Sequence, residues 1–197
     1  MRAAALAPLL AGFFLSLLAL AAPARGAEWR IEQLMERLRE VKTVRATFVE
    51  TRHLAMLNAP LTSSGTLLYS APGRLEKHTL KPRVERLTLD RDRLTVQGGE
   101  QGRSRTIFLQ QYPVVWAFVE GIRSTLAGDL PTLSRFYDLR LSGAQGGWQL
   151  ALYPGEQAMQ AVVKEIRIAG RGEHITAVEV FEANGDRSVM SITEAPS

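Results

Sequence analysis

The 197-residue sequence has no cysteine. That excludes disulfide bridges, a cysteine zinc site, an iron–sulfur cluster, thiol catalysis and an acylated N-terminal cysteine. Histidine is scarce as well. His53, His78 and His174 are the three, and no two stand at a ligand spacing such as H-x-x-x-H. No metal or other cofactor is therefore expected. The sequence has neither a G-x-S-x-G elbow nor a G-x-x-x-x-G-K-[ST] phosphate loop, so it carries no hydrolase or nucleotide signature. Its acids are interleaved with bases, as in Asp90-Arg91-Asp92-Arg93, which reads as a solvated turn rather than a carboxylate pair. No enzyme is expected. Excess charge of one sign is also missing. Lys and Arg total 24 against 20 Asp and Glu, a net charge of +4, with no basic stripe. No nucleic-acid partner is expected.

What is present begins at the N-terminus. Residues 1–27 open with Arg2, run apolar from Leu9 to Leu20, and end in small residues around Ala22-Pro23-Ala24 and Ala24-Arg25-Gly26. This is the pattern of a cleaved signal peptide, with the cut between about 24 and 27. An uncleaved anchor is the alternative, which Pro8, Gly12 and the small-residue tail disfavour. Cleavage removes Arg2 and Arg25 and no acid. It leaves residues 28–197 as a single, near-neutral, exported domain with no lipid anchor, expected in the periplasm as a monomer.

Residues 28–43 carry Ile31, Leu34, Met35, Leu38 and Val41 on one helical face. The period then changes to two. Leu67 and Tyr69, Leu87 and Leu89, Leu94 and Val96, Ile107 and Leu109, Leu139 and Leu141, and Leu150 and Leu152 each alternate with mostly polar neighbours. About ten or eleven short strands follow, with turns at Pro72-Gly73, Gly98-Gly99 and Gly146-Gly147. Residues 112–127 interrupt them with a helical stripe of Val114, Val115, Phe118, Ile122 and Leu126, and Asp129 is placed to cap a further helix. The fold class is α+β, with an antiparallel sheet that is apolar on one face.

An apolar face must be covered. Ten or eleven strands offer more of it than two or three short helices can hide, which leaves either a solid core or a concave hollow sized for acyl chains. Strand parity nominates Phe48, Leu67, Tyr69, Leu75, Leu87, Leu89, Leu94 and Val96 for an acyl-chain cavity, and Trp116, Phe118, Ile122 and Leu126 for its lid. Tyr69 and Trp116 each add a polar tip suited to a cavity mouth.

The segment Ser63–Pro82, SSGTLLYSAPGRLEKHTLKP, the opening helix leading into Ala46-Thr47-Phe48-Val49-Glu50, and the helical segment Tyr112–Asp129 occur in an order and spacing that resemble the outer-membrane lipoprotein carrier (LolA) family. The likeness is to a divergent branch. Ala71 stands where the family's carriers have an arginine that braces the lid. Lys77 and Leu75 stand where aromatics are common, Arg91 where a glycine is usual, and Leu94-Thr95-Val96-Gln97 where the strand is aromatic-rich. The resemblance implies an unclosed antiparallel β-barrel of about eleven strands with helices lidding an apolar cavity. It also implies a soluble carrier of acylated lipoproteins or another lipid. Its partners would be an inner-membrane ABC extractor and an outer-membrane acceptor lipoprotein. A non-transporting sensor or interaction module with the same fold is the other reading.

Overall fold

The computed structural model describes residues 29–98 and 102–195. The signal-peptide expectation and Gly99 of one expected turn lie outside them. Helix α1 (Ile31–Glu40) is followed by strands β1 (Thr43–His53), β2 (Leu61–Ser70), β3 (Arg74–Lys81), β4 (Glu85–Asp90), β5 (Arg93–Gly98) and β6 (Arg103–Phe108). A 3-10 turn, Leu109–Gln111, leads into α2 (Pro113–Leu126) and α3 (Leu130–Phe136). The chain then returns through β7 (Tyr137–Ala144), β8 (Gly147–Pro154), the single turn α4 (Gln157–Gln160), β9 (Val163–Arg171), β10 (His174–Glu182) and β11 (Arg187–Glu194).

All eleven strands form one sheet in the order β6-β5-β4-β3-β2-β1-β11-β10-β9-β8-β7. Each neighbouring pair is antiparallel. The edges β6 and β7 do not pair, so the sheet is an unclosed barrel with helices on its inner face. The α+β reading and the strand number hold. No helix among the described residues is long and apolar enough to cross a membrane.

Local chemistry sets the helix limits. In α1, Leu34, Met35 and Leu38 are each at most 1% exposed, and each such side chain contributes roughly 1.5–3 kcal/mol by leaving water. The helix is shorter than the 28–43 expected, because the β-branched Val41, Thr43 and Val44 already favour extended backbone. Pro113 occupies the first turn of α2, where its missing N–H is harmless. At the far end Gly128 takes φ +63, and a Cβ there would sit 2.1 Å from the Met35 carbonyl. Asp129 caps α3 as its spacing predicts, its Oδ1 accepting from the Thr132 amide at 3.1 Å. One strand is cut short. Leu109 leaves the ladder and turns inward, 1% exposed, donating its amide to the Asp92 carbonyl at 2.8 Å.

The solid core belongs to the second half of the sheet. Trp148, Leu150 and Leu152 of β8 and Ile166 and Ile168 of β9 meet Leu34, Met35 and Leu38 of α1, Leu133 of α3 and Met159 of α4. All of these are at most 2% exposed.

Candidate functional site

Cross-strand partners project to the same side of a sheet, so register decides which residues share the helix-facing side. One row across the first half reads Val44, Tyr69, Leu75, Leu89, Leu94 and Ile107. The next reads Ala46, Leu67, Lys77, Leu87, Val96 and Arg105. Phe48 follows along β1, opposite Gly65. The structure thus brings all eight nominated strand residues onto one inner face.

They are not sealed there. Phe48, Tyr69 and Leu89 are buried, whereas Leu67, Leu75, Leu87, Leu94 and Val96 are only half-buried. Helices seal the inner face over β8 and β9 and leave much of it open over β3 to β5. The Tyr69 hydroxyl is buried with no hydrogen-bond partner among the described residues, and burial pushes the phenol pKa up.

Past the apolar rows the face turns polar. The Lys77 ammonium bonds the Glu50 carboxylate and lies 4.9 Å from the centre of the Phe48 ring. Ser188 donates its hydroxyl to the other Glu50 oxygen at 2.7 Å. Burial alone would raise the Glu50 pKa, but the bonds from Lys77 and Ser188, helped by Arg52, outweigh it and hold the carboxyl below its ordinary value.

Helix α2 closes the other end. Glu120, 3% exposed, accepts from the Trp116 indole at 2.9 Å, from Ser124 at 3.3 Å and from the Arg123 guanidinium. Arg123 also donates to the Arg91 carbonyl at 3.0 Å in the β4–β5 turn. Its stem presses on the β2–β3 turn, where a Cβ on Gly73 would lie 2.6 Å from the Arg123 Cδ. One helix residue therefore clips α2 to two strand turns. A cavity of about 280 Å³ opens beside the clip, lined by Arg91, Asp92, Leu109, Gln110, Trp116, Glu120 and Arg123. The other three nominated lid residues, Phe118, Ile122 and Leu126, are half-buried against the solid core. A second cavity, about 310 Å³, opens beside the outward-facing Arg45, Thr47, Thr66, Glu76, His78 and Arg86. Of the nominated residues only Leu67 borders it.

Residues 21–195 match the family model described as outer membrane lipoprotein carrier protein LolA-like. The chain belongs to this LolA-like family. Among solved structures, it is similar to a LolA superfamily protein, NE2245, from Nitrosomonas europaea, at 10% identity and a TM-score of 0.45, covering 85% of this chain and 94% of the other. A domain named for outer membrane lipoprotein sorting from Vibrio parahaemolyticus gives 11% identity and a TM-score of 0.44, covering 83% and 88%. In the MucA/MucB complex of Pseudomonas aeruginosa the likeness is 17% identity and a TM-score of 0.43, covering 85% of this chain but 57% of that one. No curated protein matches the sequence.

Within this LolA-like chain two features escaped the sequence reading. The arginine that the resemblance places before the turn proline is Ala71 here, and the stem of Arg123 from α2 packs against that turn while its guanidinium bonds Glu120 and the Arg91 carbonyl. Helical spacing was the available sign, since Glu120 and Arg123 stand at i and i+3 with Trp116 one turn earlier. The Lys77–Glu50 pair is separated by 27 positions and shows only once β1, β2 and β3 are in register.

Proposed function

We propose that this LolA-like chain is a non-enzymatic carrier of acyl chains. It is exported to the periplasm after loss of residues 1–27, and it moves an acylated lipoprotein or another lipid from the inner to the outer membrane. Phe48, Leu67, Tyr69, Leu75, Leu87, Leu89, Leu94 and Val96 form the surface that takes the chain. Helix α2, with Trp116, Phe118, Ile122 and Leu126, is its lid. An ABC extractor would load it and an acceptor lipoprotein would unload it. The observation carrying this reading is the unequal cover of one sheet face, tightly packed over β8 and β9 and half-open over β3 to β5. Leucines left half in water are free to gain by burial. Each methylene laid against them contributes about 0.8 kcal/mol, so even a modest contact length holds a chain.

The test is native mass spectrometry of the mature protein with lipids and an acylated lipoprotein, beside displacement of a fluorescent fatty acid. The expected result is a stoichiometric adduct and displacement. Absence of both sinks the proposal. The Glu120–Arg123 clip favours a second reading, a closed interaction module. Capture of a periplasmic protein partner with no lipid bound would support it.

A further inference from the structure

The inner face is not uniformly apolar, and Lys77 on it is placed unlike a surface lysine. A lysine on a half-open sheet ordinarily extends its ammonium toward water. Lys77 instead folds its ammonium inward over the Phe48 ring and onto Glu50. Its cross-strand partners are Leu67 and Leu87, and Leu75 precedes it on the same face of β3.

Lys77 is the accessible half of the pair, its side chain 28% exposed against 12% for Glu50. An ammonium has three donors, so bonding Glu50 leaves capacity for a ligand oxygen. Glu50 does not depend on Lys77 alone, because Ser188 holds its other oxygen. Further along the face, Arg105 is in register with Val96, and Arg103 with Gly98. Among the described residues neither arginine has a carboxylate within 4.0 Å. Glu85, in register with Thr79 and Gly98, places an acid on that face as well. The row of Tyr69, Leu75, Leu89, Leu94 and Ile107 lies on the α2 side of Lys77, Arg105 ends Lys77's own row, and Arg103 and Glu85 lie beyond it. The face is amphipathic along the strands, greasy at one end and polar at the other, where Lys77, Arg105 and Arg103 stand with Glu50 and Glu85.

We infer that Lys77 receives the anionic head of a single-chain amphiphile, a carboxylate or a phosphate ester, while the chain lies on the row from Tyr69 to Ile107. This inference rests on the acyl-carrier reading and narrows it to cargo charged at one end. The ammonium keeps Glu50 and adds a charge-assisted hydrogen bond to the head group in a setting partly shielded from water.

The experiment measures binding of the mature protein to tetradecanoic acid, tetradecyl phosphate and tetradecanol by competition with one fluorescent probe. The acid or the phosphate should bind at least about tenfold more tightly than the alcohol. A preference confined to one of the two identifies the head group as carboxylate or phosphate. Lys77→Gln should erase the preference while leaving alcohol binding in place, and Lys77→Arg should keep it. Glu50→Gln, which frees the ammonium, should strengthen acid binding several-fold. Thermal unfolding of each variant shows that it folds. Should Lys77→Gln fail to fold, Lys77→Arg and Glu50→Gln carry the test. Equal binding of acid, phosphate and alcohol, unchanged in Glu50→Gln, overturns the head-group assignment and leaves the acyl carrier standing. If none of the three binds, the head-group assignment falls, and the carrier reading is decided by whether the acylated lipoprotein forms an adduct.

Discussion

Tyr69 buries a hydroxyl that finds no partner among the described residues. An unpaired polar group of this kind costs about 1–3 kcal/mol, so Tyr69→Phe is expected to stabilise the unliganded protein by about 1 kcal/mol in chemical denaturation. Glu50 behaves in the opposite sense. Its carboxyl is held below the ordinary value by Lys77 and Ser188. A group with a depressed folded pKa adds stability that is fully present above its unfolded value and lost as pH falls through the folded one. The stability gap between the wild type and Glu50→Gln should therefore be widest near neutrality and close below about pH 4, as measured by urea titration at a series of pH values. At this scale the sequence is informative about faces and silent about pairs. Period-two alternation puts Leu67, Leu75, Leu87, Leu89, Leu94 and Val96 on one side without any coordinates. Nothing in it says that Glu50 and Lys77 touch, because that depends on the register of three strands.

Among the elements, α2 is held by two kinds of contact. Its apolar stripe packs on the solid core through Phe118, Ile122 and Leu126. Its polar edge, Trp116, Glu120 and Arg123, reaches the strand turns. Removing Arg123 alone would strand a buried carboxylate, at roughly 3–5 kcal/mol. The informative variant is Glu120→Gln with Arg123→Met. It should leave the fold intact, speed amide exchange in α2 relative to β8 and β9, and raise the association rate of an acyl probe. Unchanged exchange in α2 would show that the core side alone holds the helix. The amphipathic period makes α1 and α2 legible in the sequence, and Asp129 before Pro131 announces α3. The single-turn α4 is too short to show a period. Leu109 reads as one more strand residue until the turn toward Pro113 pulls it inward.

The molecule as a whole divides its sheet into a tightly packed half and a half-buried one. Leu150→Ala in the first should cost about 2–5 kcal/mol, as expected for a cavity cut in packed interior. Leu94→Ala in the second is half-buried already, removes less from contact, and should cost only about 1 kcal/mol. Of the two, Leu94→Ala should weaken acyl binding more. Denaturant curves and probe titrations on both variants measure the contrast, and equal stability losses would mean that the open half is ordinary core. Composition and alternation announce a large one-sided sheet. They do not announce which half the helices choose, because that follows from where α1 and α3 dock.

The last strand of this sheet lies beside the first, Thr47 bonding the carbonyl of Thr193 across 146 positions. Until β11 is delivered, β1 lacks a neighbour on one flank, and no strand pairing joins β1 to β6 with β7 to β10. Such wiring makes completion of the sheet wait on partners far apart in the sequence, which slows folding relative to a sheet wired through neighbouring hairpins alone.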